Sequence, residues 1–142
     1  MSELFGEYNR PNAEKRVIEN FVKIFQNSKM LFKSKKYLEA LEGYQTAYQL
    51  LTEIWDIYPK IITLYIMMKG YFYAKQYMKV KSIMETLEPM LKYIPKDKFY
   101  IFIKIKSKHL IYQLILYFIY DDLDSSIDSV MGMIQYLCLK LK

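Results

Sequence analysis

The chain has 142 residues, 53% hydrophobic and 25% charged, with a formal net charge of +6; the size suits one domain, and the composition is not that of a disordered tail. At this length about 70% of the unfolded surface can be buried without a disulfide or metal staple, and the lone Cys138, which cannot form an intramolecular bridge, fits a reducing, cytoplasmic setting. The longest runs free of charge and histidine, residues 110–120 and 129–139, are eleven residues each against the roughly 18 to 20 that cross a bilayer, and Glu3, Glu7 and Glu14 argue against a secretory or transit signal.

Hydrophobic periodicity is helical nearly throughout. A polar arm over residues 1–11 leads, through Pro11 and a cap at Asn9 or Asn12, into a first helix with the stripe Val17, Phe21, Ile24, Phe25, Ser28, Leu31 and Phe32. Lys33-Ser34-Lys35-Lys36 breaks that stripe. A second runs Tyr37, Ala40, Leu41, Tyr44, Ala47, Tyr48, Leu51, Ile54 and Trp55 until Pro59 stops it. The third helix, about Lys60 to Ala74, is apolar on nearly every side and is expected at the centre. The fourth follows Lys75-Gln76, turns Tyr77, Val80, Ile83, Met84, Leu87 and Leu91 inward, and ends by Pro95 with a kink expected at Pro89. Asp97 is placed to cap a fifth helix running to about Tyr120, which the turn Asp121-Asp122-Leu123-Asp124 ends. Ser125 with Asp128 reads as a capping box for a sixth, whose expected inner face is Ile127, Val130, Met131, Ile134, Cys138 and Leu141. The expected fold is all-α: about six antiparallel helices in one helical domain over residues 12–142, behind the polar arm.

An internal repeat underlies this order. Tyr37-Leu38-Glu39-Ala40-Leu41-Glu42-Gly43-Tyr44-Gln45-Thr46-Ala47-Tyr48 places a small residue, an aromatic and a second small residue at Ala40, Tyr44 and Ala47, where small residues let two helices approach and the aromatic fills the gap. Forty residues on, Lys75-Gln76-Tyr77 repeats Lys35-Lys36-Tyr37, with Val80, Met84 and Leu87 in the same register. A third unit is laid on Leu110, Leu114, Tyr117, Ser126, Val130 and Met133. The pattern resembles the tetratricopeptide repeat (TPR), strongly in the second helix and with Asn27 departing from the usual large aliphatic in the first. The spacing here exceeds the family's ~34 residues, implying longer helices. The resemblance implies three helical hairpins in a short right-handed solenoid; the alternative is an irregular bundle in which one hairpin imitates the motif.

The inventory for catalysis is thin. His109 is the only histidine and Cys138 lies on a different expected helix, which argues against a nucleophile with its base, and zinc would want three or four Cys and His ligands. Asp122, Asp124, Ser126 and Asp128 begin like a calcium loop, but Ile127 stands where the sharp-turn glycine belongs and Met133 where the closing glutamate belongs. Gly6, Gly43, Gly70 and Gly132 are isolated, so no phosphate-cradling loop is present. No catalytic residue, metal or cofactor is expected, and the chain is read as not an enzyme.

TPR proteins hold peptides or helices in a groove lined by the first helix of each hairpin. Carried onto this sequence, the resemblance implies a partner groove of Phe25, Lys29 and Phe32, then Ile62, Tyr65, Ile66, Lys69, Phe72 and Tyr73, then Lys108, Ile111, Tyr112 and Ile115. Phe25 and Ile66 stand where a carboxylate clamp would need polar residues, which argues against tail binding of that kind. The alternative is that these residues close on one another as core. Lys33, Lys35, Lys36 and Lys75, Lys79, Lys81 come from equivalent turns and share one edge, either a solvated rim or a docking strip for an acidic partner. At the C-terminal end Met133, Tyr136 and Leu139 form a small-and-apolar face, with Ser129 and Gly132, that suits another helix.

The expected function is therefore a noncatalytic interaction scaffold: a TPR-like subunit of a larger assembly, cytoskeletal or organellar among others, holding an amphipathic helix or apolar segment. An RNA-binding helical repeat is the alternative. Against it stands the scarcity of arginine, since only Arg10 and Arg16 accompany the lysines.

Overall fold

The structure, a computed structural model, describes residues 4–6, 8–120 and 123–141. These residues hold six α-helices and no strand: α1 (Asn12–Lys33), α2 (Tyr37–Leu51), α3 (Tyr58–Tyr73), α4 (Tyr77–Leu87), α5 (Phe99–Tyr120) and α6 (Leu123–Leu141). The chain divides into two compact units, Met1–Tyr93 and Ile94–Lys142. In the first, α1 packs on α2, α2 on α3 and α3 on α4; in the second, α5 packs on α6. No helix is long and apolar enough to cross a membrane, among the described residues.

The first unit is a repeat down to its backbone hydrogen bonds. At the α1–α2 turn the Lys36 N–H donates to the Leu31 carbonyl (3.0 Å) and the Lys35 N–H to that of Phe32 (3.0 Å). At the α3–α4 turn Gln76 donates to Tyr71 (2.9 Å) and Lys75 to Phe72 (3.0 Å), the same bonds shifted by forty residues. Both are Schellman caps, which satisfy the last carbonyls of a helix through one left-handed residue. Lys35 and Lys75 supply that residue, each at φ 61°. An aromatic pair brackets each turn: the Phe32 and Tyr37 rings meet edge-on at 5.1 Å, and those of Phe72 and Tyr77 at 5.7 Å.

The core follows the same period. Phe21 and Ile61, Phe25 and Tyr65, Ser28 and Met68, Ala40 and Val80, Tyr44 and Met84, Ala47 and Leu87, and Leu51 and Leu91 are equivalent pairs in which both members are buried. α3 is buried on nearly every side, through Pro59, Ile61, Thr63, Leu64, Tyr65, Met67, Met68, Gly70 and Tyr71, as its composition led us to expect. Two glycines allow the close approaches. A Cβ on Gly43 would collide with Ser28 Oγ across the α1–α2 contact, and one on Gly70 would come within 2.8 Å of Leu41 Cδ2 and 3.2 Å of Phe32 Cε2.

Several boundaries differ from the sequence reading. Pro11 stands at the N-cap of α1 with no side-chain cap bond, so neither Asn9 nor Asn12 caps it. α2 ends at Leu51, and Pro59, instead of stopping it, sits in the first turn of α3, where its fixed φ and missing N–H cost nothing. α4 gives way at Glu88 to a 3-10 segment through Tyr93 that contains Pro89. Asp97 lies in a 3-10 turn, Lys96–Lys98, before α5. α6 starts at Leu123, which puts Ser125 inside the helix rather than at its cap.

The face of α6 also differs. Tyr136 turns toward α5, with its ring 6.2 Å from Phe102 and the Lys106 Nζ 5.3 Å from its centroid, and Val130, Met133 and Leu137 are half-buried. The stripe expected inside, apart from Val130, is outside: Ile127 (44% exposed), Met131 (52%), Ile134 (44%) and Leu141 (67%), with Cys138 also exposed. Both stripes are apolar at helical spacing, so periodicity alone could not choose between them.

Candidate functional site

The α1 and α3 residues of the expected groove fall into two groups. Phe25 is buried, its ring 5.2 Å from Phe21 and 5.3 Å edge-on to Tyr44, so it belongs to the α1–α2 core. Tyr65 is buried as well, with Lys69 Nζ 4.6 Å above its ring. Ile62, Ile66 and Lys69 are half-buried on α3, and Lys29 on α1 is exposed. The middle of the trough is thus largely closed core; its open end lies at the two turns.

There the structure gathers Phe32, Tyr37, Phe72, Tyr73 and Tyr77. Tyr37 and Tyr73 stack at 5.6 Å with 19° between their planes, and Phe32 meets Tyr73 edge-on at 6.0 Å. Tyr73 is 50% exposed. Aromatic pairs of this geometry contribute about 0.5–1.5 kcal/mol each beyond the area they bury, so the cluster locks the two turns together while leaving one ring face open. Beside it a cleft of about 360 Å³ is lined by Lys35, Lys36, Tyr37, Leu38, Glu39 and Ala74. Lys33, Lys35, Lys36, Lys75, Lys79 and Lys81 are all exposed. Tyr37 and Leu38 were not among the expected groove residues. The signal was the repeated turn Lys35-Lys36-Tyr37 and Lys75-Gln76-Tyr77, which positions an aromatic at the start of each second helix. The acidic residues expected at the third turn, Asp121 and Asp122, lie outside the described residues.

In the second unit Tyr112 is buried, with Lys108 Nζ 5.7 Å from its ring; Ile115 and Lys108 are half-buried, and Ile111 is 49% exposed. Lys106 and His109 are buried on the same helix. Phe118, 73% exposed, continues the outward face of Ile111 and Leu114. Of the expected end face, Met133 is half-buried, Tyr136 packs on α5 and Leu139 is 71% exposed.

The N-terminal arm is tied down. Arg10 forks onto Asp56, with Nη1 2.8 Å from Oδ1 and Nη2 2.6 Å from Oδ2, while the Gly6 N–H (3.3 Å) and the Tyr8 hydroxyl (3.2 Å) donate to the same carboxylate. The guanidinium lies 4.0 Å over the Tyr8 ring, and Phe5 meets Phe21 edge-on at 5.6 Å. The hydrogen bond from Arg10 holds Asp56 below the usual carboxylate range, with the Gly6 bond acting in the same direction. Trp55, beside Asp56 in the α2–α3 connection, is 94% exposed.

Burial pushes the Tyr44 phenol up to about 12 and raises Tyr48, Tyr65 and Tyr71 as well, so these groups stay protonated donors near neutrality. Tyr71 accepts a hydrogen bond from Gln45 Nε2 at 2.8 Å. Among the described residues no group of three or more His, Cys, Asp or Glu side chains converges as a metal site. What the arrangement offers chemically is apolar and aromatic surface rimmed by lysine.

No family model matches the sequence, and no curated protein or solved structure is significantly similar to it.

Proposed function

We propose that the chain is a noncatalytic protein–protein interaction module, a TPR-like repeat that holds an amphipathic helix or apolar segment within a larger assembly. One observation carries this reading: α1–α2 and α3–α4 repeat in register at a spacing of forty residues, with the same caps and the same bracketing aromatic pairs, and the end of their first-helix face is left open as a lysine-rimmed aromatic cluster. Stacked helical hairpins with an accessible apolar face are suited to laying a helix against that face. A bound segment would place an apolar side chain on Tyr73 and acidic residues against Lys35 and Lys36.

The test is capture from the native source under crosslinking, with Tyr73→Ala and Lys36→Glu compared against the parent chain. Loss of the same captured protein in both variants, at unchanged helicity, supports the reading. Capture indifferent to both would overturn the placement of the groove.

The exposed lysines of the two turns favour a second reading, binding of RNA phosphates with a base stacked on Tyr73. Salt separates the two. Counterion release makes phosphate binding fall steeply with ionic strength, whereas contact with an apolar segment that carries only a few acidic residues falls much less.

A further inference from the structure

We propose that the edge built by the α1–α2 and α3–α4 turns docks on the surface of an anionic lipid bilayer, with Leu38 and Met78 entering the acyl boundary and the lysines of both turns lying among the headgroups. The inference does not rest on the interaction-module reading. Vesicle binding involves no partner protein, so either can fail without the other.

The edge is a repeated tip. Leu38 and Met78 are forty residues apart, each the second residue of its helix, and they are 58% and 63% exposed. Behind each stands a half-buried tyrosine, Tyr37 or Tyr77, fixed by the ring of Phe32 or Phe72. Tyr37 also stacks on Tyr73 at 5.6 Å, which holds the second turn beside the first. The two tips are thereby presented together at one end of the unit. Around them the segments 33–39 and 73–81 carry six lysines, all exposed, against the single carboxylate of Glu39. At the other end of the unit Glu53, Asp56 and Glu88 accompany Arg10, Lys60 and Lys92, so charge nearly cancels there.

Three features select lipid as the occupant. Charge comes first: the negative potential of an anionic leaflet attracts each lysine near it, and the lysines of one edge act together while the far end does not compete. The type of cation agrees. A fixed phosphate is best gripped by the planar fork of arginine, and neither Arg10 nor Arg16 lies in these turns, whereas a compact ammonium on a long apolar stem suits a diffuse surface of headgroups. Last, Leu38 and Met78 stand at two separate tips that one bilayer takes at once, while a nucleic acid offers them no apolar medium. The tyrosines just behind them stand where the aromatic belt of interfacial proteins does. The contact is with one face of the bilayer, since among the described residues no helix is long and apolar enough to cross it.

Co-sedimentation of the full chain with phosphatidylcholine vesicles, with and without phosphatidylserine, tests this. Binding is expected only with phosphatidylserine and should fall as salt rises. Lys33→Ala combined with Lys36→Ala should weaken it about tenfold or more, and Leu38→Ser combined with Met78→Ser, which leaves the charge unchanged, about fivefold, all at unchanged helicity. Fluorescence gives a readout that does not depend on lost binding. With Met78→Trp in a Trp55→Phe background, emission should move to the blue on vesicles and be quenched by brominated lipid, while native Trp55, at the other end of the unit, should respond to neither. Absence of binding to phosphatidylserine vesicles overturns the proposal, as does a vesicle-induced blue shift of native Trp55. Binding that the serine pair leaves unchanged, with the Met78→Trp ring still in water, also overturns it and would mark the edge as a polyanion site for an acidic protein or RNA.

Discussion

Lys35 and Lys75 occupy the same left-handed backbone position, φ 61°, at equivalent turns forty residues apart. A Cβ in that region costs about 1–2 kcal/mol, which is why glycine usually fills it. Lys35→Gly and Lys75→Gly should each stabilise the protein by about 0.5–1 kcal/mol, the relief of strain being partly offset by the larger entropy of an unfolded glycine. Chemical denaturation midpoints of the two single variants and the double check this. Destabilisation by both would show that the lysine side chains hold the turns.

The α1–α2 contact depends on Gly43 having no side chain. Gly43→Ala drives a methyl onto Ser28 Oγ, and overpacking of this kind costs about 1–3 kcal/mol. Ser28 Oγ is buried with no hydrogen-bond partner among the described residues, so Ser28→Ala alone should leave the melting temperature unchanged or raise it. In the Gly43→Ala background it should recover part of the loss, but not all, because Ser28 Cβ would still lie 3.2 Å from the added methyl. Strictly additive effects would place the cost elsewhere.

The arm should let go in acid. Asp56 has a lowered folded-state pKa, so its contribution is present above the unfolded carboxylate value and is lost as pH falls through the folded one. Asp56→Asn should therefore lower stability near neutrality by about 2 kcal/mol, leaving Arg10 without its ion pair, and should flatten the acid limb of the melting profile. Parallel acid limbs for variant and parent would mean that other carboxylates control it.

Tyr44 gives the opposite limb. An acid held at about 12 when folded, against an ordinary value near 10, keeps its proton while the unfolded phenol loses it. Stability is thus full below the unfolded value and falls as pH rises toward the folded one, by an amount on the order of 2–3 kcal/mol. Tyr44→Phe should remove that part of the alkaline loss in urea denaturation between neutral and strongly basic pH. An unchanged alkaline slope would assign the loss to the other buried tyrosines.

Much of the first unit was legible in the sequence, because the residues that decide it are local. Ala40, Tyr44 and Ala47 show their roles through spacing, the paired basic-aromatic turns announce the period, and α3 is apolar enough to place itself at the centre. Phe25 was less legible. A phenylalanine on a first helix reads equally as groove or core, and only the ring of Tyr44 against it decides for core. Arg10 and Asp56 are 46 residues apart and look like ordinary solvated charges until the arm folds back. On α6 two apolar stripes run side by side, and the choice between them belongs to α5.

The clasp at Asp56 also makes the chain its own sensor. Trp55 is its single tryptophan and is 94% exposed next to the arm, so its emission should lie close to that of free indole in water. Any partner that settles over the arm and the α2–α3 connection must desolvate that ring and move its colour toward the blue, while one that settles on the lysine turns leaves the ring in water. The intrinsic fluorescence of the unlabelled protein thus reports which of its surfaces a ligand has chosen.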